Sequence, residues 1–379
     1  QKFTDSLNFT PDATSGDIIG RTSGSWITDG FQAGLHIRLE SASANISPPR
    51  VYWEIASVTA TELRLAQKGV LTTETGRAAT VTQVALNPNA PGIILTKIEV
   101  GQRDDIDLTA TTKLNVSATG AVFVGSENEL KIENVTTAGI VALKTGDAIS
   151  KFGMGTPAVK SGNLVLEAAD GGIGTTAKPF DIDLQGTGTL TARGKNDVVI
   201  VETAGDLPLE TIYSQQGNVV VTSSTGSISD YFDNELVNIK AGTGIQLSAA
   251  SGGIGISGNL LDIDHGNSGI LTAVGKTGVH LWEALGNMRV VSVTSSDGDV
   301  TLKSHLSIID ADASTADDVD VTGDSITLTA LTGGIGAASK ELEINTGSTA
   351  TDSLTAFSNL GNLYVREQSG DLHLNTIAT

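Results

Sequence analysis

Glu202, Glu283 and Glu367 occupy one recurring position in a chain of 379 residues. Glycoside hydrolysis needs two carboxyl groups roughly 5 to 10 Å apart, so recurring acids are the first residues to test for chemistry. Asp181, Asp183, Asp262 and Asp264 form a second recurring set. A third group, Asp310, Asp312, Asp317, Asp318 and Asp320, crowds a short segment rich in Ala, Ser and Thr. Hard oxygen ligands packed in this way suit calcium, and the plainer reading is a solvated acidic loop. The histidines, His36, His265, His280, His305 and His373, show no metal-ligand spacing. Gly275-Lys276-Thr277 looks like the end of a phosphate-binding loop, but the glycine required five residues earlier is Ile270. No zinc-protease helix signature or nucleophile elbow is present.

The acids that recur argue against catalysis by recurring, because a catalytic site occurs once. The expectation is therefore no catalytic residue, no cofactor-binding residue and no resident cofactor, with calcium at the Asp310 segment as the one metal to test. The elements that carry these acids are set by a repeat, which is the main feature of the sequence. Gly-Gly-Ile-Gly begins at Gly171, Gly252 and Gly333, and both intervals are 81 residues. An alternating run precedes each: Leu164 to Ala168, Ile245 to Ala249 and Ile326 to Ala330. Asp181-Ile182-Asp183, Asp262-Ile263-Asp264 and Glu343-Ile344-Asn345 follow. Val199-Ile200-Val201-Glu202 then matches His280-Leu281-Trp282-Glu283 and Leu363-Tyr364-Val365-Arg366-Glu367. A degenerate earlier copy is visible at Val122-Phe123-Val124 and Gly139 to Leu143. The expected copies lie near 90–170, 171–251, 252–332 and 333–379.

Within each copy, Gly followed by Asn or Asp and then apolar-x-apolar recurs, as at Gly162, Gly205, Gly217, Gly258, Gly286, Gly298, Gly361 and Gly370. Alternation with period two buries one face of a strand, and the Gly-Asn and Gly-Asp pairs read as turns needing positive φ. The fold class expected is all-β: a right-handed parallel β-helix of stacked coils over 89–379, preceded by a small antiparallel β-domain over 1–88. Coils of about 20 residues give four per copy, which would separate recurring glutamates by about 19 Å.

Composition agrees. Gly numbers 44, aromatic residues make up 4% and charged residues 17%. That mixture suits short β-branched strands and turns rather than helices. A formal net charge of −20 disfavours nucleic acid, whose phosphates need clustered Lys and Arg, and disfavours anionic membrane surfaces. Cysteine is absent, which is neutral on compartment. No apolar run is long enough to span a bilayer.

The strand–turn units, with Gly-Gly-Ile-Gly, Asp-Ile-Asp, Leu-Thr-Ala, Gly-Asp-Leu and Gly-Asn-Val-Val-Val, resemble the repeats of filamentous haemagglutinin-like, giant bacterial exoproteins. The resemblance covers roughly residues 90 to 379. It implies a secreted or cell-surface chain with an adhesive, cohesive or matrix role and offers no catalytic motif to carry over. The function expected is an extracellular structural or adhesive stalk or filament that self-associates or binds surface glycans. The alternatives are a β-helical protein that binds or degrades polysaccharide, and a viral tail fibre. In the N-terminal stretch, Trp26, Phe31 and Trp53 read as core, with a sugar-stacking platform as the sharper alternative, and the module reads as a cap or interaction module.

Overall fold

The computed structural model describes residues 2–33, 36–40, 45, 53–84, 106–108, 113–153, 157–234, 236–312, 318–349 and 351–379. The expected start of the repeats near residue 90, and Asp317, lie outside them. The chain forms two compact units, one built mainly on residues 1–100 and the other mainly on 101–379.

The first unit is a closed, six-stranded antiparallel barrel. Its strands run in the order Lys2–Thr10, Ile18–Arg21, Glu62–Leu65, Trp53–Val58, His36–Glu40 and Glu74–Val84. The last pairs back onto the first and leaves no open edge. Period-two alternation turns Leu7, Phe9, Ile19, Ile55, Leu63 and Leu65 inward. Trp26, Phe31 and Trp53 are 0%, 3% and 4% exposed. Trp26 packs edge-on against Phe3 and Phe31, with ring centroids 4.9 Å apart in each pair. Rings buried this deeply cannot stack on a sugar, which corrects the platform alternative.

Asp17 is also fully buried. Its carboxylate accepts the backbone N–H groups of Asp12, Gly69, Val70 and Leu71 at 2.7 to 2.8 Å. Burial alone would raise its pKa, but these four donors together hold it below the ordinary aspartate value.

The second unit is a parallel β-helix. From Ile106–Leu108 to Leu374–Ala378, the chain alternates between two 14-stranded sheets. Sheet I contains Leu164–Ala168 and sheet II contains Phe180–Leu184. All the pairings between their named strands are parallel, as in Leu164↔Leu190 and Leu166↔Ala192. Inward residues stack in columns, such as Val141, Leu164 and Leu190, all fully buried. Each strand buries its apolar face only against the facing sheet and the coils beside it. The long core runs continuously from Val122 to Ala356.

Each 81-residue copy holds three and a half coils, not four. From Leu164–Ala168 to Gly244–Ala249 the chain makes seven rungs. One rung is split: the long strand Leu207–Ser214 pairs with both Ile228–Asp230 and Ile239–Lys240. Met288–Ser295 does the same with Ile308–Asp310 and Val321–Gly323. An odd number of rungs in a two-sheet coil moves each successive copy to the opposite sheet. Leu164–Ala168 and Ile326–Ala330 thus lie in sheet I, while their counterpart Gly244–Ala249 lies in sheet II.

The glycine motif marks where coils meet. Ile173 bridges Ile149 below and Val198 above, and Ile254 and Ile335 repeat the arrangement. Gly255 has φ +63°, and a Cβ there would sit 2.2 Å from the His280 carbonyl oxygen of the next coil. The Gly-Asn and Gly-Asp turns differ from expectation. Gly205 and Gly370 have positive φ, whereas Gly162, Gly217, Gly298 and Gly361 do not. In those four the constraint is proximity: a Cβ on Gly361 would lie 2.4 Å from Gly334 N. The Asn or Asp that follows reaches along the stack. Asp206, Asn287 and Asp299 accept the backbone N–H groups of Ser227, Ser307 and Ser325 in the next coil, at 2.8 to 3.0 Å.

Candidate functional site

Two of the three recurring glutamates are interior structural groups, and Glu367 is half-buried. Glu202 and Glu283 are 0% exposed. Glu202 accepts the N–H groups of Leu184, one coil earlier, and Ala204, in its own turn, both at 3.1 Å. Glu283 accepts those of His265 at 3.3 Å and Gly286 at 3.1 Å. Glu367 accepts the backbone N–H of Thr346 at 3.1 Å and its hydroxyl at 3.0 Å. The acid therefore closes the corner at the end of its strand in each of the three copies that carry it. Burial pushes Glu202 and Glu283 up to about 8, against the pull of these N–H donors. Successive members also stand on opposite sheets, three and a half coils or about 17 Å apart, too far for paired acid–base chemistry.

His265 was not singled out by its sequence spacing, yet it is fully buried beside Glu283. Its Nε2 accepts the N–H of Arg289 at 3.2 Å, and its Nδ1 faces the Gly266 carbonyl at 3.1 Å. Those partners select a neutral ring protonated on Nδ1. Burial lowers its pKa, in keeping with that state. Nε2 lies 3.4 Å from Glu283 Oε2.

The second acidic set flanks buried isoleucines, as expected: Ile182 and Ile263 are fully buried. Asp183 pairs with Lys160 at 2.7 Å, Asp264 with Lys240 at 2.5 Å, and Asp181 with Lys151. Lys276 and Thr277 lie in a turn between strands.

Among the described residues, the aspartate-rich segment is where three carboxylates converge closely enough to hold a metal ion. Ligand oxygens of Asp310, Asp312 and Asp320 lie within 4.8 Å of one another. The cluster already contains a cation: Lys340 Nζ sits 3.1 Å from Asp310 Oδ2 and 2.7 Å from Asp312 Oδ1, and donates to the Asp312 carbonyl at 2.8 Å. Lys340 comes from the hairpin after the third Gly-Gly-Ile-Gly, a partner that linear spacing could not reveal. Asp320 is 1% exposed and is pushed up to about 8, first by burial and then by the neighbouring acids. Asp318 is exposed.

The preceding copy explains Asp320. Asn238 stands in its place, accepting the Asp262 N–H at 3.0 Å and donating from Nδ2 to Asp230 at 2.8 Å. Asp320 likewise accepts the Glu343 N–H at 2.9 Å, and as a neutral acid it stands in for the uncharged amide. Asp320→Asn should therefore fold normally and gain on the order of 2 kcal/mol at pH 7, because the unfolded chain carries this group ionised. Urea titrations with and without millimolar calcium check this. A calcium-dependent stabilisation of the wild type that Asp320→Asn abolishes would instead establish a metal centre.

No family model, curated protein or solved structure matches the chain. Among the described residues, no helix is long and apolar enough to cross a membrane.

Proposed function

We propose that the chain is a stalk segment of an extracellular structural or adhesive protein, akin to the giant exoproteins its repeats resemble. The observation that carries this reading is the use of its acids. Recurring carboxyls that would be candidates for chemistry are spent on closing corners and tying one coil to the next. A solenoid of this kind is extended by adding coils without changing its cross-section. The described rungs of sheet I alone span roughly 58 Å at the strand spacing of a sheet. Such an element sets a distance between a surface and whatever is displayed on it. Self-association and weak contacts with surface glycans fit the same role.

Antibodies against the solenoid, applied to intact and to permeabilised cells that make the protein, test it. Labelling of intact cells that protease treatment removes is expected, and labelling only after permeabilisation overturns it. Turnover of an acidic polysaccharide that one Asp or Glu substitution abolishes would favour the enzymatic alternative.

A further inference from the structure

Because consecutive copies occupy opposite sheets, the solenoid contains its own control: each surface position recurs on the other face in the same local fold. Four consecutive coils of sheet I end in turns bearing Leu285, Leu306, Leu331 and Leu360. These turns stack directly, through Leu306 N–H to the Gly286 carbonyl, Leu331 N–H to that of Ser304 and Asn359 N–H to that of Ala330. Leu285, Leu306 and Leu360 are 47%, 37% and 75% exposed. On the opposite face the corresponding turns carry Ala204, Ser224-Thr225-Gly226, Ala250 and Thr277. The fold is therefore satisfied by small or polar residues there, and packing within the coil does not account for the leucines.

Two aromatic side chains extend the strip onto the sheet. Phe357 is 41% exposed. Trp282 is half-buried under Lys303, whose ammonium lies 3.9 Å from the ring centroid. Among the described residues its buried indole Nε1 has no acceptor. Val274 and Val201 stand at the matching sites. Large aromatics beside leucines, set in a polar surround, are the composition of an interface core.

We propose that this corner is the surface through which two copies of the solenoid pair side by side. The inference rests on the stalk reading and names one contact through which such stalks would associate. Charge selects the occupant. With a net charge of −20, two copies repel over most approaches. The leucine turns, 284–287, 305–307, 331–334 and 359–362, contain no Asp, Glu, Lys or Arg, whereas the matching turns include Asp206 and Lys276. A basic partner would be drawn to the acidic faces instead. The strip is about 19 Å tall and on the order of 300 Å². A pair joined by it alone belongs to the weak, transient class, with Kd on the order of 100 μM.

Sedimentation velocity of the full 379-residue chain, from about 10 μM to about 1 mM, tests the pairing. The key variant transplants residues of the opposite face: Leu285→Ala, Leu306→Thr, Leu331→Ala and Leu360→Thr together. The wild type should pass from monomer to dimer, more readily as salt screens the net charge. The variant should remain monomeric across the range, with unchanged circular dichroism and melting temperature. Leu360→Arg alone, at the most exposed position, should weaken pairing at least tenfold and covers the case in which the quadruple variant misfolds. A wild type that stays monomeric throughout overturns the proposal. Variants that pair as the wild type does also overturn it, and they leave the stalk reading to the cell-surface experiment.

Discussion

Lowering the pH from about 9 to about 6.5 should stabilise the solenoid by on the order of 4 kcal/mol. Glu202, Glu283 and Asp320, each raised to about 8 chiefly by burial, drive the change. Their unfolded values are 4.5, 4.5 and 3.8, so the unfolded chain is ionised at all three throughout the window. The folded chain takes up protons as pH falls through about 8. The stabilisation associated with the neutral acids is fully present only below the unfolded values and is lost as pH rises through the folded ones. The buried histidines act in the opposite sense, since the values of His265 and His280 are lowered, chiefly by burial, but their effect falls below the ordinary histidine value of 6.5. The barrel should barely respond, because Asp17 is lowered and its contribution is lost only as pH drops below about 4. Hydrogen exchange read by peptide mass separates the two units. The combined Glu202→Gln and Glu283→Gln variant should lose most of the response, because an amide does not titrate. It should also be less stable than the wild type at pH 6.5, because both oxygens of each acid accept backbone N–H groups and an amide has only one acceptor oxygen. A solenoid equally protected at both pH values, or an unchanged response in that variant, would show that these acids are ionised in the fold.

Much of this architecture is legible in the residues. Period-two alternation at Leu164–Ala168 and the 81-residue interval require stacked strands, and the recurrence of the acids points away from a unique site. The rung count is not legible in the same way. Periodicity measures chain length per copy, whereas the number of rungs depends on which strands share a partner. Ile228–Asp230 and Ile239–Lys240 look like separate beats, yet both lie against Leu207–Ser214, and that merger turns an even count into an odd one. The burial of Glu202 is hidden for a related reason. A glutamate at a strand end reads as solvated unless something offers it hydrogen bonds, and the donors here are backbone N–H groups that carry no residue signature. Lys340 is likewise legible only once its hairpin is placed beside Asp310 and Asp312.

Asp17 is the extreme case of backbone recognition by a buried acid, and Asp17→Ala should cost the barrel about 4 kcal/mol, much of the stability of a unit this size. Its two oxygens divide four donors evenly. Oδ1 takes the N–H groups of Asp12 and Gly69, and Oδ2 takes those of Val70 and Leu71. Alanine leaves all four without this acceptor, and at least Leu71, 5% exposed, has little access to water. The isosteric Asp17→Asn should be almost as damaging. An asparagine has one acceptor oxygen, so its amide would point two donors at two N–H groups on whichever side it occupies. This distinguishes a charge-specific clamp from simple space filling, which asparagine would satisfy. Trp26 and Trp53 lie in the barrel core and report its unfolding by fluorescence. Solenoid amides should remain protected in both variants, since its core is a separate cluster. An Asp17→Asn protein with wild-type barrel stability would show that the four hydrogen bonds do not depend on the carboxylate charge.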